Sequence, residues 1–427
     1  MKFRLAAATA ILATCAPMVA SAATTTTTNP CSQFPKAGGR YVNCTWIGAD
    51  LQAFNLTGTN LSGTNLTNAN LTNAVLTGAN LTNVDLTGAT LNGVVGRSIV
   101  GTPKALPPFW KVSKGYLLGP RANLTGATLG GVDVTDASLR WAQLNGVSSG
   151  NVEGDTVVLP EGWKLVNGYF LGPTAVLVRA DLSGGTLTNA KLRDANLLGA
   201  DLTDADLTNV DLRGAVVTGA KVGGAIFTSA SMSQIVSGAV TGTPTAMPLG
   251  WGVRHGHLVG PGAMLRRANL AYQNLKGLSL RGANLSGAVL FRSNLVGVNL
   301  SLTNLNQANL DFASLQGADF TGTMLYKARV RHVNASQANF TRANLTQANF
   351  TSSVLNYGVF VKANLTQAIL QKSSLQYANL SNTALRSADF TGAAMKGILA
   401  TSVSGTPKAL PPKWAVRNGS LKGPGSR

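Results

Sequence analysis

Between residues 263 and 402 an apolar side chain falls on every fifth position, from Leu265 and Leu270 to Met395 and Ala400, 28 positions without a slip. A helix needs a spacing near 3.6 and a strand a spacing of 2, so a strict five fits neither. It predicts a coil with one short extended segment and one corner per five residues. The residue two before the centre is mostly small, as in Ala268-Asn269-Leu270, Ala283-Asn284-Leu285, Ala318-Asp319-Phe320 and Ala363-Asn364-Leu365. Both apolar residues face inward on one extended segment, and the polar residues between and after them face water.

The same fives occupy three earlier stretches. One starts near Trp46 and Ala49-Asp50-Leu51 and runs through Leu56 to Leu91, a second covers Leu124 to about Ser149, and a third covers Leu177 to about Ser237. A different unit recurs four times, each copy holding one tryptophan: Trp110, Trp163, Trp251 or Trp414. Each tryptophan is preceded by proline and followed by a turn (Lys114-Gly115, Asn167-Gly168, His255-Gly256, Asn418-Gly419), an apolar segment and Gly-Pro. Asn-Gly between β-forming residues is a strong hairpin signal, because a tight primed turn needs positive φ. Each unit therefore reads as a short β-hairpin anchored by its tryptophan on the adjoining coil. Gly96 to Leu124, Ser149 to Leu177 and Ser237 to Leu265 each step by 28 residues. One coil of about 20 residues plus eight accounts for that step, so a solenoid with decorated coils is expected rather than four separate domains.

The pattern Ala-(Asn/Asp)-Leu-(Thr/Ser)-(Gly/Asn) resembles the pentapeptide-repeat family over most of residues 46–402. The resemblance implies an all-β fold, a right-handed quadrilateral β-helix with four repeats per coil; the β-hairpin inserts depart from the plain family pattern. Residues 20 apart then stack on adjacent turns. Phe320, Phe340 and Phe360 form a core aromatic ladder, while Tyr357 with Tyr377, Asn60 with Asn80, and Lys191 with Asp211 stack outside. Arg292, His332 and Lys372 share one outward column. The last block forms a section roughly 34 Å long at about 4.8 Å per turn. The expected organisation is a signal peptide at 1–22, a Thr-rich linker and Cys-containing N-terminal cap at 23–45, repeat blocks at 46–98, 122–151, 175–239 and 263–402, hairpin inserts at 99–121, 152–174 and 240–262, and a fourth hairpin that caps the C-terminal end at 403–427.

Composition sharpens this picture. Charged residues make up only 12% of the 427, with two glutamates, Glu153 and Glu161, beside many Thr, Asn and Gly, which argues against a helical array. Lys2 and Arg4, the apolar run Leu5–Val19 and Ala20-Ser21-Ala22 have the layout of a secretory signal. Outside that segment Cys31 and Cys44 are the only two cysteines, and in an exported chain they are expected to pair as a structural disulfide. The net charge of +19 is spread thinly, which reads first as a solvated surface and second as attraction to anionic polymers.

The chemistry of catalysis is not in its usual settings. Gly146-Val147-Ser148-Ser149-Gly150 spells a nucleophile elbow but closes a repeat block, without a strand–turn–helix context or a histidine partner. Gly96 and Gly101 stand at phosphate-loop spacing with Thr102 in place of the lysine, and Gly250, Gly252 and Gly256 miss the dinucleotide spacing. His255 and His257 flank a turn, but the sibling turns carry no histidine, so surface variation is the simpler reading than a metal site. Asp181, Asp201, Asp204, Asp206 and Asp211 cluster, yet Asp or Asn is the ordinary residue before the centre of this repeat. Asn55, Asn60, Asn65 and Asn70 each begin a glycosylation triplet that the repeat itself generates.

No catalytic, cofactor or metal residue is assigned. The expectation is a non-enzymatic, exported scaffold or interaction protein without a transmembrane segment, binding an unknown protein or an anionic cell-surface polymer. The alternative is a nucleic-acid-associated or topoisomerase-interacting role, which the resemblance raises because some members of the family imitate duplex DNA. Imitation needs an acidic surface. Residues 263–402 carry thirteen Lys or Arg against Asp311, Asp319 and Asp389, so the alternative is disfavoured.

Overall fold

Each five-residue repeat spends its backbone donors in a fixed pattern, mostly on the neighbouring coils, and that accounting explains the consensus. In the computed structural model, which describes residues 29–155 and 157–424, the repeat centred on Leu71 shows it. The amide of Leu71 donates to Thr90 O (2.8 Å), Asn73 to Asn92 O (2.8 Å), Ala74 to Leu71 O (2.9 Å) and Val75 to Phe54 O (2.9 Å). The fifth amide, that of Thr72, has no backbone partner and donates to Asn70 Oδ1 (3.1 Å). Where Asn or Asp stands before the centre it is therefore a side-chain cap on the one orphaned donor of the corner. Around Leu345 the same five bonds recur, with Thr346 donating to Asn344 Oδ1 (3.1 Å).

The second corner residue has positive φ, 57° at Asn68 and 60° at Asn73, while the corner's closing amide bonds back to the centre. This is type II turn geometry, which favours Gly and Asn there. The extended residues pair in parallel with those 20 positions on, as in Asn60 with Asn80 and Asn344 with Asn364. Residues 1–22, expected from the sequence to be a signal segment, and threonines 24–28 lie outside the described residues.

The chain divides into two compact units, Met1–Val176 and Leu177–Arg427. In the first unit the parallel ladder begins at Arg40 and Thr45, beside the disulfide between Cys31 and Cys44. Trp46 Nε1 donates to Cys31 O (3.1 Å), and its ring lies 5.2 Å from that of Tyr41. Two antiparallel strand pairs belong to this unit: β1 (Lys111–Ser113) with β2 (Tyr116–Leu118), and β5 (Lys164–Val166) with β6 (Tyr169–Leu171). Between them β3 (Thr128–Gly130) and β4 (Ser148–Gly150) pair in parallel. The ladder carries past β1 and β2, because Gly93 donates to Arg121 O at 2.8 Å.

In the second unit β7 (Gly252–Arg254) pairs with β8 (His257–Val259), and β9 (Ala415–Arg417) with β10 (Ser420–Lys422), both antiparallel. Here too the ladder steps over β7 and β8, with Gln234 donating to Gly262 O (2.7 Å) and Val236 bridging Met264. The core of each unit is a column of fully buried leucines backed by alanines. In the second unit the rings of Phe320, Phe340 and Phe360 stack at 4.7 and 4.8 Å, and Phe350 meets Phe340 edge-on at 5.8 Å. Aromatic pairs of this kind contribute about 0.5–1.5 kcal/mol each beyond area burial. The architecture is all-β, of the β-helix kind, with the short turn Pro30–Ser32 as the one helical element among the described residues.

Candidate interaction surface

The four tryptophans share one environment. A Cβ on Gly119 would overlap the Trp110 ring, and Gly172, Gly260 and Gly423 stand in the same relation to Trp163, Trp251 and Trp414. The glycine of each Gly-Pro is thus required by a ring lying on its Cα. Each tryptophan amide also closes a turn on the proline three residues earlier, at 3.2, 3.1, 3.0 and 3.1 Å for Trp110, Trp163, Trp251 and Trp414.

The outward column containing Arg292 and His332 carries more than cations. Tyr272, 65% exposed, meets Phe291 edge-on at 5.6 Å; Phe291 meets Phe312 at 5.6 Å; Phe312 stacks on His332 at 4.8 Å. The Arg292 guanidinium lies 5.4 Å from the Phe291 ring and 5.7 Å from that of Phe312. The structure therefore brings Arg292 and His332 together through Phe312. Lys372 occupies the same corner further along and takes no part in these ring contacts. The sequence reading missed Tyr272, Phe291 and Phe312, although Tyr272, Arg292, Phe312 and His332 stand at intervals of 20 in the sequence. A second aromatic contact, Tyr357 on Tyr377, stacks at 5.2 Å.

The acidic residues at this surface are neutralised. Burial pushes the Asp311 carboxyl up. Hydrogen bonds from the Arg331 guanidinium and amide and from the Arg329 guanidinium outweigh that and hold it below the usual carboxylate range. The guanidinium contacts are 2.6 Å from Arg331 and 2.5 Å from Arg329. The Asp389 carboxyl, also raised by burial, is brought down to about 2 by Thr391, Gln371 and Lys408. What the corner presents to water is aromatic and basic.

The clustered aspartates do local work. Asp181, Asp201, Asp206 and Asp211 accept from the amides of Ser183, Thr203, Thr208 and Arg213, the capping role described above. Asp204 sits at a corner with φ 56°. Lys191 and Asp211 are ladder neighbours, but the Asp211 carboxylate is held by Arg213 at 2.6 Å. His255 Nδ1 lies 2.9 Å from Asn269 O and His257 Nδ1 3.1 Å from Ser237 O. No three His, Cys, Asp or Glu side chains converge as a metal site among the described residues. Ser148 and Ser149 lie in β4, where Ser149 Oγ accepts the Phe170 amide (2.9 Å). No helix among the described residues is long and apolar enough to cross a membrane.

With that geometry in place the repeats identify the class. A family model, pentapeptide repeats, matches eight times, at residues 55–93, 121–148, 175–214, 195–234, 263–307, 303–342, 331–371 and 363–398. These cover more than half of the chain, which therefore belongs to the pentapeptide-repeat family. Among solved structures it is similar to the pentapeptide repeat protein Rfr23 of the cyanobacterium Cyanothece 51142, at 21% identity over 26% of this chain and 87% of that one, with a TM-score of 0.24. It is also similar to HetL, a pentapeptide repeat protein involved in heterocyst differentiation regulation in Nostoc sp. strain PCC 7120, at 24% identity over 66% and 88%, with a TM-score of 0.16. A third is QnrB1, a plasmid-mediated fluoroquinolone resistance protein, at 14% identity over 51% and 91%, with a TM-score of 0.18. At these TM-scores the family assignment rests on the repeat match itself. A search of curated proteins gives no match.

Proposed function

We propose that this protein is an exported, non-enzymatic scaffold whose aromatic and basic corner column, Tyr272 to His332, docks an anionic partner at the cell surface. In this reading the repeats form a right-handed, four-sided solenoid, with the blocks and hairpin inserts bounded as read from the sequence. The carrying observation is the column itself: exposed rings of Tyr272 and Phe312 held by edge and face contacts, with Arg292 laid over Phe291 and Phe312 and Asp311 buried between two arginines. Exposed aromatic and arginine side chains are the residue types that anchor interfaces, and a preformed ladder spares them ordering entropy on binding. The disulfide between Cys31 and Cys44 supports an oxidising compartment.

The test pairs fractionation with envelope binding. The mature protein is expected outside the cytoplasm and bound to isolated cell envelopes. The double variant Tyr272→Ala, Phe312→Ala should lose about tenfold in affinity, a change of about 1.4 kcal/mol. Recovery in the cytoplasm, or full envelope binding by the double variant, would refute the reading.

A further inference from the structure

A second candidate lies in the first unit, and a comparison within the molecule isolates it. An open cavity of about 610 Å³ is lined by Phe109, Asp136, Ser138, Arg140, Trp141 and Val158, among others. Its size falls within the range of small-ligand sites, roughly 300–1,000 Å³. Phe109 is 66% and Trp141 60% exposed. Large rings left in water around one concavity mark a binding surface more often than chance placement does.

The backbone beneath is the one used again in the second unit. The Ser138 amide donates to Phe109 O (3.2 Å) and the Arg121 amide to Arg140 O (2.9 Å); likewise Ser279 donates to Gly250 O (2.9 Å) and Gly262 to Arg281 O (2.9 Å). Ser138 and Arg140 thus correspond to Ser279 and Arg281, but Phe109, Arg121, Asp136 and Trp141 correspond to Gly250, Gly262, Gly277 and Gly282. A Cβ on Gly277 or Gly282 would meet nothing within 4 Å. The fold does not require side chains at these corners, so it leaves them free to serve a ligand.

We propose that this cavity binds a uronic acid unit of an acidic oligosaccharide. A pyranose ring has apolar C–H faces and a rim of hydroxyls, and a uronate adds one carboxylate. Phe109, Val158 and the exposed part of Trp141 supply the apolar floor. The guanidiniums of Arg121 and Arg140, 4.9 and 5.0 Å from the Trp141 ring centroid, gather positive charge at one rim, and a planar guanidinium matches a carboxylate bidentately. Asp136 accepts from ring hydroxyls. Ser138 Oγ already accepts the Arg140 amide (3.3 Å), and its own proton is free to donate to a sugar hydroxyl. Two arginines against one aspartate favour an acidic sugar over a neutral one, and an opening to solvent lets the rest of a polymer run past.

The experiment is calorimetric titration of the mature protein with hexagalacturonate, and with maltohexaose as the neutral arm. Binding of hexagalacturonate at least tenfold tighter than maltohexaose is expected. Trp141→Ala and Arg140→Ala, both at exposed corners, should each weaken it at least tenfold, while Arg342→Ala, at an exposed corner of the other unit, leaves it unchanged. Absence of binding to hexagalacturonate, equal affinity for the two sugars, or a loss in Arg342→Ala as large as in Arg140→Ala would overturn the proposal. The last result would show diffuse attraction to a basic surface instead of a site.

Discussion

The strand pair β1–β2 in the first unit and β7–β8 in the second are built on the same parts and finished differently. Both close a turn from tryptophan to proline, both lay the ring on a glycine, and both let the ladder step over them. Yet Lys111 of β1 forms an ion pair with Asp133, where the second unit has Gly252 and Asn274. Tyr116 of β2 is matched by His257 of β8, and the dressed corners of one are the bare glycines of the other. The difference separates what the fold demands from what it merely permits. Tryptophan, proline and the covered glycine recur because the packing fails without them, whereas corner side chains vary because the ladder ignores them.

The shared part breaks first. Gly119→Ala and Gly260→Ala each drive a methyl group into a tryptophan ring. Each should cost about 1–3 kcal/mol as overpacking. Hydrogen exchange at β1–β2 and at β7–β8 is the measure, and losses of similar size in the two pairs are expected. A silent variant in either would show that the ring is not held there.

Acid should then part the two pairs. The Asp133 carboxyl is held at about 2, chiefly by the Lys111 ammonium and then by Thr135. Its folded pKa is depressed, so its contribution is present above the unfolded value near 3.9 and is lost as pH falls towards 2. Burial lowers the His257 pKa, against the opposing pull of the Ser237 carbonyl. A histidine held neutral by partial burial contributes fully above about 6.5 and loses that contribution as pH falls below it. Protection at β7–β8 should therefore begin to fall below about pH 6.5, while β1–β2 holds until about pH 4. The reverse order, or a common midpoint, would contradict these assignments.

The smallest effect sharpens the contrast by adding to it. Gly282→Trp places an indole at the corner corresponding to Trp141, where φ is 67° against 59° at Trp141. The left-handed corner should cost about 1 kcal/mol on losing glycine. Together with Gly277→Asp it should create a second, weaker hexagalacturonate site, read as a rise in stoichiometry.

Much of this molecule was readable from the chain, because a period of five and a step of 28 leave few backbones to choose from. The ladder positions of Phe320, Phe340 and Phe360 follow from that register alone. The reason for Asn or Asp before each centre did not, since the orphaned amide of Thr72 emerges only after every other donor in the turn has been assigned. Gly119 read as punctuation before Pro120, and its role depends on a ring nine residues earlier that only the folded pair brings over it. The corner column was half legible: Arg292 and His332 were found by spacing, but Phe291, which is the first residue of its corner rather than the second, was not. The cavity escaped because Phe109 reaches Ser138 across a strand pair that lies outside the five-residue count.

The capping of the corner amide has a consequence for the surface charge. Asn70 and Asp85 do the same work, because a carboxylate oxygen accepts the following amide as well as a carboxamide oxygen does. Exchanging one for the other alters the surface potential and leaves the scaffold intact. The coat can therefore pass from basic to acidic one column at a time on an unchanged scaffold, so that the sign of the surface charge and the fold are set by different residues.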